Sequence, residues 1–149
     1  MVKKEVVSKE LERIRNQNGG VLNPADVVAA AAPKSNPIHD LFTWDDTAAA
    51  IEYRLWQARM LIRVTVTVLP GDTKESRVYV SLEEDRNSEG GYRHVVDVLQ
   101  DSDLREKLLE QALEELSEIQ KKYKHLKELA VIFSSIKRVK SKRLMIAVK

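Results

Sequence analysis

The chain has 149 residues, with 25 Lys+Arg, 23 Asp+Glu, 43% apolar residues and no cysteine. This length favours one domain with an appended arm, and the absence of cysteine excludes a disulfide scaffold, thiolate metal ligands and cysteine catalysis. No apolar run approaches the ~20 residues that a membrane-spanning helix needs, and no apolar signal core follows the basic start. A soluble cytoplasmic protein without a membrane span is therefore expected.

The net charge of +2 hides a strong asymmetry along the chain. Residues 121–149 hold ten basic residues and one acid, a net charge of +9, whereas residues 1–120 carry −7. Five of these cations fall within seven residues, and they are Lys137, Arg138, Lys140, Lys142 and Arg143. Such a cluster can bind nucleic-acid phosphates, complement the dipole at a helix end or contact an anionic membrane, and the sequence leaves these interpretations open.

Hydrophobic spacing and turn chemistry predict an α+β fold in which a helical cluster precedes a β-hairpin. Apolar residues at helical spacing, Asn-Pro pairs and acids near helix starts mark the helices. Alternating β-branched residues on either side of a Pro-Gly turn mark the hairpin strands. The predicted elements are helices over 3–17, 24–32, 36–42 and 46–62, strands over 63–68 and 77–82, a loop over 83–91 and a third strand over 92–99.

The helix over 46–62 is the candidate nucleic-acid element of this region. Asp45 and Asp46 are expected to cap it. Its buried stripe is predicted to consist of Ala48, Ile51, Leu55, Ala58 and Ile62. A helical cluster followed at once by a hairpin resembles a winged-helix DNA-binding domain, whose third helix enters the major groove. In this interpretation Arg54, Arg59 and Arg63 contact bases and phosphates.

The last predicted element is a long helix from residue 101 to about residue 138, followed by a basic tail. Its apolar residues step by three and four, which is typical of a coiled-coil seam and predicts a homo-oligomer. The candidate interface residues are Leu109, Leu116, Ile119, Tyr123, Leu126 and Phe133. The predicted division is an N-terminal helix (1–20), a helical cluster with a hairpin (21–100) and a long helix with its basic tail (101–149).

Signatures of catalysis and metal binding are weak. His39 lies near Asp45 and Asp46, but these acids occupy capping positions, so the pattern favours helix structure over a metal site. Asp97, or the acids within 72–75, could belong to a metal-dependent nuclease site, but their spacing is ordinary for a surface loop. Phosphate-loop, dinucleotide and nucleophile-elbow motifs are absent. No catalytic residue, metal or cofactor is therefore expected.

Residues 21–63 carry a family resemblance. Their sequence runs from Val-Leu-Asn-Pro-Ala-Asp through Ile-His-Asp-Leu-Phe-Thr-Trp-Asp-Asp to Met-Leu-Ile-Arg, and it resembles a family of small uncharacterised proteins from phages and prophages. The likeness continues through residues 77–82 and 91–93 to residues 125–130, so it covers most of the chain. It implies a phage origin and an accessory role in DNA metabolism, regulation or interference with a host system, and it transfers no site residue.

These observations predict a non-enzymatic phage accessory protein in the cytoplasm of the host cell. It is expected to bind nucleic acid mainly through phosphate contacts and to self-associate through the long helix. The alternative is a protein-binding accessory factor, such as an inhibitor of a host enzyme or an assembly component, that uses the long helix and the acidic body. A small metal-dependent nuclease is the third hypothesis.

Overall fold

The computed structural model describes residues 2–44 and 47–147, and the chain divides into two compact units, Met1–Asp101 and Ser102–Lys149. The fold is α+β, as predicted. The N-terminal unit contains α1 (Lys4–Gln17), β1 (Val21–Leu22), α2 (Pro24–Ala31), a 3₁₀ turn (His39–Leu41), α3 (Ala48–Val64), β2 (Val66–Val68), β3 (Glu75–Arg77), β4 (Tyr79–Val80), α4 (Glu83–Asn87), β5 (Tyr92–His94) and α5 (Val95–Gln100). The C-terminal unit contains α6 (Ser102–Tyr123), a second 3₁₀ turn (Lys127–Leu129) and α7 (Ala130–Ala147).

The turn between α1 and β1 depends on two glycines. Gly19 and Gly20 have φ angles of 67° and 88°, a left-handed conformation that costs glycine little. The Gly20 N–H donates to the Arg15 carbonyl at 3.0 Å, which closes the end of the helix. The chain therefore reverses within three residues and places β1 beside α1.

The sheets are small and antiparallel. Strands β1, β5 and β4 form one sheet in that order, while β2 and β3 form a hairpin, with Val66 opposite Arg77. A hairpin was predicted here, but its second strand is wrong in extent. The partner of β2 is Glu75–Arg77, and Tyr79–Val80, from the predicted strand over 77–82, pair with β5 in the other sheet. Val78 joins the two, because its N–H donates to the Thr65 carbonyl at 3.2 Å and its carbonyl accepts from the Val95 N–H at 2.7 Å. The hairpin is thus anchored to the sheet that carries β5.

Several element boundaries differ from the predictions. The predicted third strand ends at His94, because that side chain caps a short helix, α5, in place of further strand. The predicted loop over 83–91 contains α4, whose first turn is acidic. Asn23 precedes α2 without capping it, since its amide donates to Asp26 at 3.0 Å.

One core unites the N-terminal unit. The helices α1, α2 and α3 contribute Leu11, Ile14, Val27, Ala31, Ala58 and Ile62, and strands or connections contribute Leu22, Ile38, Phe42, Val78, Tyr79 and Tyr92. The residues of α1 in this list are fully or almost fully buried. The N-terminal helix therefore belongs to the same core as α2 and α3.

The predicted buried stripe of α3 is wrong at Ile51, which is 54% exposed. The stripe is confirmed at Ala58 and Ile62, which are fully buried, Leu55 is half-buried, and α2 packs against the helix. Ile51 lies on the same side of α3 as Ala58, but it is in the first turn of the helix, beyond the core that Ala58 and Ile62 join. The predicted cap residues Asp45 and Asp46 lie outside the described residues. Thr47 caps the helix, because its hydroxyl accepts from the Ala50 N–H at 3.3 Å.

The C-terminal region has a long helix, as predicted, but the predicted continuity to residue 138 is wrong. Helix α6 ends at Tyr123 after 22 residues, a 3₁₀ turn follows, and α7 returns along α6. No glycine or proline marks this reversal. It buries Leu113, Phe133 and Ile136 inside the unit, and packing of this kind supplies most of the stability of helices in water.

In the described part of the chain, no helix is both long enough and apolar enough to cross a bilayer.

Candidate interaction surfaces

The three arginines predicted on α3 do not form one cationic face. The Arg54 guanidinium lies 5.4 Å from the centre of the Trp44 ring, and its Nη1 donates to the Thr43 carbonyl at 3.3 Å. Arg59 is half-buried and Arg63 is exposed. Cation–π and backbone contacts therefore hold Arg54 against the segment that precedes the helix.

The outward side of α3, here called the α3 face, is apolar and aromatic. Its members recur at helical spacing and are exposed: Tyr53, Trp56, Met60 and Val64. The rings of Tyr53 and Trp56 stack with their centroids 5.6 Å apart. A shallow groove continues the face onto Leu41 and Phe42. A contiguous exposed patch of this kind is typical of a binding surface.

Sequence reasoning missed the α3 face, although its signal is present. Residues 53, 56, 60 and 64 follow a 3, 4, 4 spacing that is as regular as the stripe that was predicted. The predicted stripe is the one that is buried at Ala58 and Ile62, and the residues of the α3 face lie on the opposite side of the helix.

The two long helices of the C-terminal unit, here called the hairpin of α6 and α7, have a thin core. It consists of Leu113, Phe133 and Ile136, with Leu109 and Leu129 packed beside them. Two of the predicted interface residues, Leu109 and Phe133, are therefore placed inside the hairpin.

The other predicted interface residues lie on the surface of the hairpin. Leu116, Ile119, Tyr123 and Leu126 are all exposed, Ile119 by 46%. Helix α7 adds a second exposed apolar set, consisting of Val131, Ile132, Val139, Leu144, Met145 and Ile146. Among its described residues, this unit thus exposes ten large apolar side chains, whereas three are buried in its core.

The structure separates the five clustered cations into two groups. Arg143 pairs with Glu106, its Nε donating at 2.8 Å, and Lys140 donates to the Ser117 hydroxyl. Both side chains line a pocket with Glu110, Glu114 and Leu144. Lys137, Arg138 and Lys142 are exposed, and these three cations remain available to a partner.

The residues considered as catalytic candidates, His39 and Asp97, make contacts within the fold. His39 Nδ1 lies 2.9 Å from the Ala31 carbonyl, and its ring stacks on Trp44 at 4.9 Å. Asp97 accepts from Arg15 at 2.5 Å. Among the described residues, no group of three or more His, Asp or Glu side chains is placed to hold a metal ion.

Comparison with family models, with curated proteins and with solved structures found no match to this chain. The resemblance of residues 21–63 to phage and prophage proteins stays a prediction, and the two apolar surfaces are interpreted from their own geometry.

Proposed function

We propose that this chain is a non-enzymatic interaction protein that self-associates through the hairpin of α6 and α7. The observation that supports this proposal is the imbalance between the three-residue core of the hairpin and its exposed apolar surface. Small helical units need an extensive core or a partner to be stable. A second copy that covers these apolar residues would supply one, as helices do in bundles.

Charge distribution indicates how two hairpins would pair. Helix α6 exposes Glu114, Glu115 and Glu118, whereas α7 exposes Lys137, Arg138 and Lys142. A two-fold arrangement that sets α6 of one copy beside α7 of the other brings opposite charges together. Pairing α7 with α7 would bring like charges together, so we expect the first arrangement.

Light scattering and analytical ultracentrifugation test this proposal on the full chain. Ile119→Glu places a charge on the exposed stripe of α6 and is expected to weaken self-association at least about tenfold. Lys121→Glu is the matched control, because residue 121 lies on the opposite side of α6 and is expected to leave the assembly unchanged. A wild-type chain that stays monomeric at about 1 mM would contradict the proposal, and circular dichroism checks that both variants keep their helices.

Nucleic-acid binding is the second candidate, favoured by the exposed cations. Arg63 on α3 and Lys137, Arg138 and Lys142 on α7 can each neutralise a phosphate and release counterions. The winged-helix comparison is weakened, because the predicted helix over 36–42 is only the 3₁₀ turn His39–Leu41. The outward side of α3 is the apolar α3 face, so α3 offers fewer cations for DNA contact than the recognition helix of a winged-helix domain needs.

A salt titration of gel retardation tests this second function. Replacing Lys137, Arg138 and Lys142 together by Gln should reduce the slope of log affinity against log salt by about 2 to 3, since each phosphate contact contributes about 0.9. Arg143→Gln is the control, because Arg143 already pairs with Glu106 and is expected to change the slope little. Absence of any retarded DNA or RNA at low salt would exclude this function.

With either function, we also propose a phage or prophage origin and a cytoplasmic location. The first is supported by the resemblance of residues 21–63 and the second by the lack of an apolar span in the described helices.

A further inference from the structure

The hairpin of α6 and α7 has inward residues that define its two sides. On α6, Leu113 belongs to the shared core and the Ser117 hydroxyl accepts from Lys140, so both point toward α7. On α7, Phe133 and Lys140 point toward α6 by the same contacts. Exposed apolar residues come one position before three of these inward residues, and they are Leu116, Ile132 and Val139.

These apolar residues lie on one face of the hairpin, because α6 and α7 run in opposite directions. A two-fold rotation perpendicular to the hairpin interchanges antiparallel helices, so equal offsets from the inward residues turn to the same face. Helical spacing extends this hairpin face to Ile119, Tyr123 and Ile146, with Arg105 at its end in the first turn of α6. The residues that follow the inward ones form a polar opposite face, and they are Glu114, Glu118, Ser134 and Ser141.

Each helix also has an outer edge, which points away from the other helix. Its residues recur at seven-residue spacing, and they are Leu108, Glu115 and Lys122 on α6 and Val131, Arg138 and Met145 on α7. The contacts of Arg143 with Glu106 and of Lys140 with Ser117 fix how α6 and α7 are aligned along their length. They place residue 115 within about one helical turn of the level of residue 138.

We propose that two copies pack their hairpin faces together as a four-helix bundle whose two-fold axis is parallel to the helices. This inference rests on the proposed self-association, and it adds which face pairs and in which register. Rotation about such an axis does not shift the second copy along the helices, so α6 lies beside the partner's α7 and Glu115 lies opposite the partner's Arg138. The same alignment brings Leu108 near the partner's Met145, and Lys122 near the partner's Val131.

A two-fold axis that crosses the helices at right angles would instead set each helix beside its own equivalent. Centred on the hairpin face, that arrangement brings Glu115 near Glu115 of the other copy. It also brings Arg138 and Lys142, which is one turn further along α7, near the same cations of the other copy. Like charges would meet at both edges, so the outer edges favour the bundle in which α6 packs beside α7.

The absence of native cysteine permits a geometric test of this register. A Glu115→Cys chain mixed with an Arg138→Cys chain should be joined into a mixed dimer by a short bis-maleimide, because that dimer keeps its second acid–base contact. Each chain alone should cross-link to itself much more slowly. If Glu115→Cys cross-links to itself as fast as the mixture reacts, α6 lies beside α6 and the proposal is overturned.

Charge exchange tests the same contact without a cross-linker. Glu115→Arg sets Arg against Arg at both edges and is expected to weaken dimerisation at least about fivefold. Adding Arg138→Glu in the same chain reverses both members of each contact and should return the affinity to within about threefold of wild type. A double variant as weak as Glu115→Arg alone would overturn the proposed register.

A matched pair of variants on α7 tests which face receives the second copy. Val139→Glu places a charge on the hairpin face and is expected to weaken dimerisation at least about tenfold. Ser134→Glu adds the same side chain to the polar face and should leave the dimer unchanged, with circular dichroism as the check that both variants keep their helices. Analytical ultracentrifugation measures both affinities.

The outcomes separate this inference from the self-association on which it rests. A wild-type chain that is monomeric at about 1 mM would contradict both. A wild-type dimer that Val139→Glu leaves intact, or that Ser134→Glu weakens equally, would overturn only the placement of the second copy on the hairpin face.

Discussion

At the scale of single residues, His94 is expected to make the stability of the N-terminal unit depend on pH. Its Nδ1 accepts a hydrogen bond from the Val96 N–H at 3.2 Å and so caps α5. Burial, and secondarily the positive charge of Arg15, lower the pKa of His94 below its ordinary value of 6.5. Protonation would remove the acceptor on which the cap depends, so geometry and electrostatics both favour the neutral ring.

Acid is therefore expected to destabilise the N-terminal unit through His94. Because the folded-state pKa is lowered, the unfolded chain takes up the proton first, and the contribution of His94 is complete above about pH 6.5 and declines below it. His94→Asn keeps a capping acceptor but does not titrate. The wild-type melting temperature should thus fall more than that of His94→Asn between about pH 7.5 and pH 5.5, and equal falls would exclude this role.

The ion pair between Asp85 and Arg93 fixes the central strand of the three-stranded sheet. Asp85 is 7% exposed, and it accepts from Arg93 Nε at 2.9 Å and Nη2 at 2.7 Å. This hydrogen bond raises the pKa of Arg93. Asp85→Asn should lower the free energy of unfolding by about 2 kcal/mol, since charged hydrogen bonds of this kind contribute about 1.5–3 kcal/mol.

Glu84→Gln is the matched control for that substitution. Glu84 approaches the same guanidinium at only 3.9 Å, and its side chain is 43% exposed. Exposed ion pairs contribute about 0–1 kcal/mol, so urea unfolding of this variant should resemble the wild type. Equal losses in the two variants would show that Asp85 acts only as a surface charge.

At the scale of elements, the hairpin of α6 and α7 depends on Phe133. This side chain is buried with Leu113 and Ile136, whereas Leu144 of the same helix is 69% exposed. Phe133→Ala is expected to cost about 3–4 kcal/mol of local stability, and Leu144→Ala well under 1 kcal/mol. Amide hydrogen exchange should show faster exchange across residues 102–147 in Phe133→Ala, with protection of α1 to α3 retained. Uniform acceleration over both units would contradict an independent hairpin core.

The sequence predicts helix positions better than it predicts which side of each helix is buried. The Asn23-Pro24 pair and the turn at Pro70-Gly71 locate α2 and the hairpin of β2 and β3 because local chemistry determines them, whereas Asn36-Pro37 precedes only a 3₁₀ turn and the predicted helix over 36–42 is wrong. The reversal after Tyr123 has no local marker, since burial of Phe133 against Leu113 is a contact between distant residues. The α3 face escapes prediction for the same reason, because the spacing of residues 53, 56, 60 and 64 does not show whether a distant element covers them.

At the scale of the whole chain, the charge asymmetry is partly neutralised within the C-terminal unit. That unit contains 12 basic and 7 acidic residues, and its fold returns the cations of α7 to the acids of α6, with Arg143 on Glu106. The sequence alone shows +9 at one end, whereas the structure leaves Lys137, Arg138 and Lys142 exposed for contacts. Phosphate binding and pairing between copies therefore compete for the same three side chains.

A single two-fold contact predicts an assembly that stops at the dimer. Each copy would cover the exposed apolar residues of its partner's hairpin of α6 and α7, and a two-fold contact of this kind closes on itself. Wild type should therefore form dimers that do not grow further as concentration rises, and Ile119→Glu should be monomeric over the same range. Native mass spectrometry over a concentration series measures these states directly. Dimers of Ile119→Glu would show that a contact other than the hairpin holds the copies together, and wild-type assemblies larger than a dimer would show that a second surface also pairs.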